Sequence, residues 1–210
     1  MGGEENGEKA SRTAIEQIDD WFQSLTEEDF DDGELASLCS SLEKKLKDIS
    51  SEIMEKYKVG GSTFICALVK DGKALIANIG DSRAYAIKDG KIRQITKDQS
   101  VAKKAFDSVY RDKGYNWDDM RFFKMDNYIT QCLGMPDVKP DFYILDKSKY
   151  DSLVLTSDGI HDILKMSEIG YIVHSGESLE EIANNLIDAS MSSLPIKSIV
   201  DGDKRRKKRI

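Results

Sequence analysis

A change of period partway along the chain constrains its fold more than any other feature. Ala10, Ala14, Ile15, Ile18, Trp21 and Phe22 recur at helical spacing, and Leu35, Leu38, Leu42, Leu46, Ile49, Ile53 and Tyr57 fall on one face of a longer rod. The spacing predicts amphipathic helices over residues 7–23 and 35–57, joined by an acidic loop and ended by Gly60-Gly61. From residue 63 the apolar residues come in short runs, 63–69, 74–78, 83–87 and 91–95, separated by Asp71-Gly72, Gly80-Asp81 and Asp89-Gly90. Asp-Gly between apolar runs is a strong hairpin signal, so the four runs read as an antiparallel meander. Beyond it the pattern predicts helix and irregular structure over 100–123, strand or bend over 127–133, and strands over 142–145 and 153–156. Helices are expected over 167–173 and 178–189, N-capped by Ser167 and Ser178, of which only Ser178-Glu181 completes a capping box. Helices, then strands, then helices describe an α+β chain, an antiparallel sandwich flanked by helix pairs.

The residues with chemical potential sit at the ends of these runs. Leu153-Val154-Leu155-Thr156 reads as a buried strand that delivers Asp158 to a turn at Gly159, ahead of a short helix. A metal ligand needs this kind of rigid support, with a glycine that lets backbone or ligand come close. Most Ser-Asp-Gly segments are nevertheless plain turns.

Composition excludes several classes. No apolar run approaches the roughly 18 residues of a membrane span, and the N-terminus has no signal-peptide pattern. Asn6 replaces the Ser or Thr that a myristoylated Gly2 requires. Cys39, Cys66 and Cys132 are far apart among apolar residues, as expected of reduced thiols in a cytoplasmic protein. Of the 31 basic residues six lie in 204–209, and of the 38 acidic ones two lie in 201–210, which leaves 25 against 36 in residues 1–200. Such an acidic body disfavours nucleic acid and suits divalent cations.

Four segments, taken in order, carry a family resemblance: Gly61-Ser62-Thr63-Phe64, Gly80-Asp81-Ser82-Arg83-Ala84-Tyr85, Ile95-Thr96-Lys97-Asp98 and Ser157-Asp158-Gly159. They resemble the metal-dependent serine/threonine phosphatases of the type-2C (PPM) family in its bacterial form. Met1-Gly2-Gly3, followed by Gly7-Glu8-Lys9-Ala10-Ser11, is similar to the N-terminal motif of the bacterial members. The resemblance implies two central antiparallel sheets, a helix pair against each, and metals at one edge. It implies hydrolysis of phosphoserine and phosphothreonine in proteins by a metal-activated water, with two core Mn2+ or Mg2+ ions about 3.5–4 Å apart and a weaker third. Hard cations of this kind take carboxylate oxygen. Carried over by position, Asp158 matches a core-metal ligand and Asp98 a ligand of the third ion. Asp162 matches a structural acid of the same motif as Gly159, and Asp81 with Arg83 a tight turn held by a local ion pair. Gly2, Gly3 and Gly61 match motif glycines. Gln99, His161 and Gln131 stand where the family has other residues.

The match also predicts a partial domain over 1–194 and a basic linker, insertion or tail over 195–210. The family's bridging Asp would precede residue 1, Glu4 stands in place of a His, and no C-terminal Asp-Asn is found. Two N-terminal strands and the last strand are expected to be missing, so unpaired strand edges should self-associate and the isolated chain should turn over poorly. The expected partner is a phosphorylated protein, with no nucleic acid and no membrane. The alternative is a catalytically inactive phosphatase-like module that binds or regulates.

Overall fold

The computed structural model describes residues 6–31, 34–120 and 128–192. Gly2, Gly3 and the basic stretch 195–210 lie outside the described residues. Helices α1 (Gly7–Gln23) and α2 (Leu35–Tyr57) form where the apolar spacing places them. Strands β1 (Phe64–Lys70), β2 (Lys73–Ile79), β3 (Arg83–Lys88) and β4 (Lys91–Gln94) follow, then α3 (Val101–Val109) and α4 (Trp117–Met120). The described chain continues with β5 (Asp141–Asp146), β6 (Ser152–Thr156), α5 (Asp158–His161), α6 (Met166–Ser175) and α7 (Leu179–Met191).

The strands form two antiparallel sheets, ordered β1-β2-β5 and β4-β3-β6. Two of the three expected hairpin turns are present. Asp71 and Gly72 have φ of 49° and 80°, and Asp89 and Gly90 of 49° and 71°. Positive φ at both central residues matches the twist of the flanking strands. The continuous meander is not formed, because Gly80-Asp81 is a crossing between the sheets. Only Gly80 there has a positive φ, 103°, so the two-residue hairpin geometry is not met. A Cβ on Gly80 would lie 2.6 Å from the Thr63 methyl, which makes glycine obligatory where the chain leaves the first sheet.

Alternation along the strands builds four layers. Ala74 and Ile76 of β2 face Ala84 and Ala86 of β3 across the sandwich, small side chains that let the sheets close. On the other face of β2, Ala77 and Ile79 pack under Ala10, Ala14, Leu42, Leu46, Ile49 and Ile53 of α1 and α2. Tyr85 of β3 and Val154 of β6 pack under Ile169, Ile172 and Leu186 of α6 and α7. Each large apolar side chain sealed in this way contributes about 1.5–3 kcal/mol relative to exposure. The α+β sandwich with helix pairs outside is therefore the observed architecture.

Local differences have physical causes. Residues 128–133 make two isolated bridges, Ile129 with Ser100 and Leu133 with Ser62, rather than a strand. Helix α6 starts at Met166, one residue before Ser167: Lys165 is its cap, and the Glu168 carboxylate accepts the Lys165 N–H at 2.8 Å. Ser178 does cap α7, accepting from the Glu181 N–H at 3.1 Å, but the Glu181 carboxylate reaches back to the Glu177 N–H instead of closing the box.

Candidate active site

The end of the sandwich where β2 crosses to β3 and β6 ends carries a pocket of about 470 Å³. The first turn of α1 supplies Glu8 and Ser11, the crossing supplies Asp81 and Ser82, and the end of β6 supplies Ser157, Asp158 and Asp162. Gly61 lies in its wall, and Tyr128 and Ile129 close one side.

Each acid is placed by local chemistry. Strand β6 ends at Thr156, and Ser157 in extended conformation caps α5. Asp158 opens that helix; its Oδ1 accepts the Gly159 N–H at 2.8 Å, and its carbonyl accepts the Asp162 N–H at 2.9 Å. One helical turn thus puts Asp158 and Asp162 on the same side. Gly159 has no positive φ, and a Cβ there would meet only Ser157 Oγ at 3.8 Å. The expected glycine turn is a helix start. His161 is buried on the far side of α5, its Nδ1 2.8 Å from Thr156 Oγ1, and so locks α5 to β6.

Asp81 and Arg83 do not form the local pair expected from the sequence. Arg83 is buried and engages Asp98: its Nε donates to Oδ1 at 2.8 Å and to Oδ2 at 3.1 Å, and its Nη2 donates to Oδ2. Gln94 Nε2 donates to Asp98 Oδ1 at 2.8 Å, and Trp117 Nε1 to Oδ2 at 3.2 Å. With four donor groups on its oxygens and a side chain 3% exposed, Asp98 is placed as the anion of a buried ion pair. Asp98, expected from the sequence as a ligand of the third ion, is thus held by Arg83 and is not among the residues that line the pocket. Asp81 is left facing the pocket. Its carboxyl is pushed up to about 6 by burial and by the negative charges of Asp98, Asp158 and Asp162.

The donor set suits a hard cation. Asp81, Asp158 and Asp162 offer carboxylate oxygen from two elements, and the raised proton affinity of Asp81 comes first from its burial and then from the acids around it. Among the described residues no three His, Cys, Asp or Glu side chains already form a cage. What the described residues show is three acids lining one pocket. Sequence reasoning took Asp81 for a turn residue. The signal against that was its position between two apolar runs whose separator is Gly-Asp rather than Asp-Gly.

Residues 1–194 match the family model described as protein phosphatase 2C. The chain belongs to that family. It is thereby a metal-dependent protein serine/threonine phosphatase by class. A serine/threonine phosphatase of Listeria welshimeri is 27% identical over 203 residues, covering 91% of this chain and 76% of that protein. The crystal structure of the serine/threonine phosphatase Stp1 from Staphylococcus aureus superposes with a TM-score of 0.80 at 28% identity, over 92% of this chain and 75% of that one. The catalytic domain of the phosphatase PstP, solved in complex with two manganese ions, shares the fold at a TM-score of 0.68 and 21% identity, over 89% of this chain and 75% of that one. No described helix is long and apolar enough to cross a membrane.

Proposed function

We propose that the pocket holding Asp81, Asp158 and Asp162 is where this phosphatase hydrolyses phosphoserine and phosphothreonine in protein substrates. The convergence of those three carboxylates on one open pocket carries the reading. The cofactor is Mn2+ or Mg2+, as a pair of core ions. When bound, such ions neutralise phosphoryl charge and make a water molecule acidic enough to attack phosphorus. The chain's own residues supply the rest. Asp158 is oriented by the Gly159 N–H, Asp162 is held one turn on, and Asp81 enters from the crossing between the sheets, so the negative field is fixed before any ligand arrives. Tyr128, 69% exposed at the rim, gives an apolar surface for the chain that carries the phosphate. Water adds to phosphorus as the bond to the serine or threonine oxygen breaks, and that oxygen leaves with a proton.

The acidic body fits a reaction partner that is protein rather than nucleic acid or membrane. Cys39, Cys66 and Cys132, none of them in a disulfide, fit a reducing cytoplasm. A catalytically inactive binding module is the weaker reading, since the relatives compared are phosphatases. The test is turnover of a phosphothreonine peptide across a Mn2+ titration. Asp158→Asn should lower kcat at least about a hundredfold, as expected when a metal-oriented step is lost. An Asp158→Asn protein as fast as its parent would falsify the placement.

A further inference from the structure

Gln99 is bonded to the glycine beside Asp81, to the threonine beside the Tyr128–Ile129 wall and to the start of β5. Its Oε1 accepts the Gly80 N–H at 2.8 Å, and its own N–H donates to the Gly80 carbonyl at 3.0 Å. The glycine that precedes Asp81 is thus gripped on both sides of its peptide. Its Nε2 donates to the Asp141 carboxylate at 2.9 Å and to the Lys139 carbonyl at 3.1 Å, anchoring the same amide to the start of β5. Its carbonyl accepts from both the N–H and the hydroxyl of Thr130, at 2.7 and 3.0 Å, next to the Tyr128–Ile129 wall. Gly80 needs such a grip. Its carbonyl is otherwise held by Asn78 Nδ2 at 3.2 Å, and glycine is the residue least able to hold its own conformation.

We propose that Gln99 is the positioning residue of the pocket, setting Asp81 through Gly80 and the Tyr128–Ile129 wall through Thr130. Gln99 touches neither substrate nor ion. Its effect is the angle at which the crossing presents Asp81, and therefore how tightly a divalent cation is held. The inference rests on the reading of the pocket as the catalytic site.

Three variants of the full chain test it: Gln99→Leu, Gln99→Glu, and Gln99→Glu combined with Asp141→Asn. Leu keeps the bulk and removes both polar ends. Glu keeps the acceptor for Gly80 but sets a carboxylate against that of Asp141, and the added Asp141→Asn change supplies a donor to it. Amide exchange at Gly80 and Thr130, Mn2+ binding followed by Mn2+ electron paramagnetic resonance, and kcat and KM for a phosphothreonine peptide are the readouts. In Gln99→Leu, exchange at Gly80 should accelerate about tenfold or more while that of the β2 and β3 interior stays unchanged. Mn2+ affinity should fall about tenfold, the scale of losing an outer-shell partner, and kcat should drop with KM nearly constant. The Gln99→Glu protein should show the same defects, and the double variant should recover much of them. Unchanged exchange at Gly80 and unchanged Mn2+ affinity in Gln99→Leu would overturn the proposal, as would a defect in Gln99→Glu that Asp141→Asn leaves untouched. If Gln99→Leu does not fold, the Glu and double variants decide by the same criteria. Failure of the underlying reading is separate: Asp158→Asn would then bind Mn2+ and turn over like its parent whatever Gln99 does.

Discussion

Breaking the Arg83–Asp98 pair should cost more stability than any exposed ion pair in the molecule. Both side chains are 3% exposed, and the guanidinium meets the carboxylate side-on through Nε and Nη2. At about 3 Å and an effective dielectric of about 20, the attraction is about 5 kcal/mol, and it offsets a desolvation cost of several kcal/mol per ion. The net value of the intact pair is therefore small, but that of either half alone is large. Arg83→Met leaves the Asp98 charge with only the donors of Gln94 and Trp117, and should cost about 3–5 kcal/mol. Asp98→Asn strands the buried guanidinium and should cost a similar amount. The double variant Arg83→Met/Asp98→Asn removes both charges and should lose less than the sum, with a coupling energy of about 2 kcal/mol or more. Urea unfolding by far-ultraviolet circular dichroism, in chelator and with m unchanged, gives the cycle directly. A loss below about 1 kcal/mol in Arg83→Met, or strictly additive losses, would refute the account of a desolvated pair.

Asp81 makes stability depend on pH in the opposite sense to a salt-bridged carboxylate. Its carboxyl stands at about 6 in the fold against 3.8 ordinarily, so the native state keeps a proton the unfolded chain releases. The folded protein should lose stability as pH rises from about 4 to 6, by up to about 3 kcal/mol without divalent cation. Asp81→Asn should flatten that slope, and Mn2+ should restabilise the parent above about pH 6 far more than the variant; superimposable pH curves would count against it. Among the described residues strand β1 pairs only with β2, and Val69 on it is 58% exposed. Such an edge templates pairing with another chain. Light scattering should show concentration-dependent association that Val69→Lys weakens; a monodisperse monomer at every concentration would dismiss it.

The elements were legible where one physical signal dominated. Helices α1 and α2 follow from apolar spacing alone, since a helical period has no other folded use over 17 and 23 residues. Asp71-Gly72 and Asp89-Gly90 were legible as hairpins because the turn needs two residues tolerant of positive φ. Gly80-Asp81 misled because a pair of turn residues does not say whether the next strand returns to the same sheet. That is decided by Ala74, Ile76, Ala84 and Ala86 facing one another across the sandwich, a long-range fact. Over 127–133 the sequence left strand or bend open, and the described residues 128–133 take the bent form: their partners Ser100 and Ser62 belong to different segments, so each side gains a single bridge. Within the site, Asp158 was legible from the strand that delivers it, while the hub at Gln99 was not. A glutamine has no periodic signature, and its partners lie 19 to 42 residues away.

The pairing of Arg83 with Asp98 rather than with Asp81 follows from strand register. The β3–β4 hairpin pairs Tyr85 with Gln94, and beyond that pair the chain stays in step: the Ile95 N–H donates to the Ala84 carbonyl at 2.8 Å and the Ala84 N–H to Thr96 Oγ1 at 3.0 Å. Arg83 is therefore carried toward the segment that contains Asp98, while Asp81 is still in the crossing and turned to the pocket. An acid two residues from an arginine looks like its partner in one dimension, but the hairpin offers a nearer one 15 residues on. The consequence is electrostatic. Held by Arg83, Asp98 gives Gln99, next to it, a fixed base, while Asp81, Asp158 and Asp162 line the pocket at the mouth of the sandwich. On the proposed reading of the pocket, a divalent cation would be drawn to that end of the molecule, since Arg83 is already engaged by Asp98.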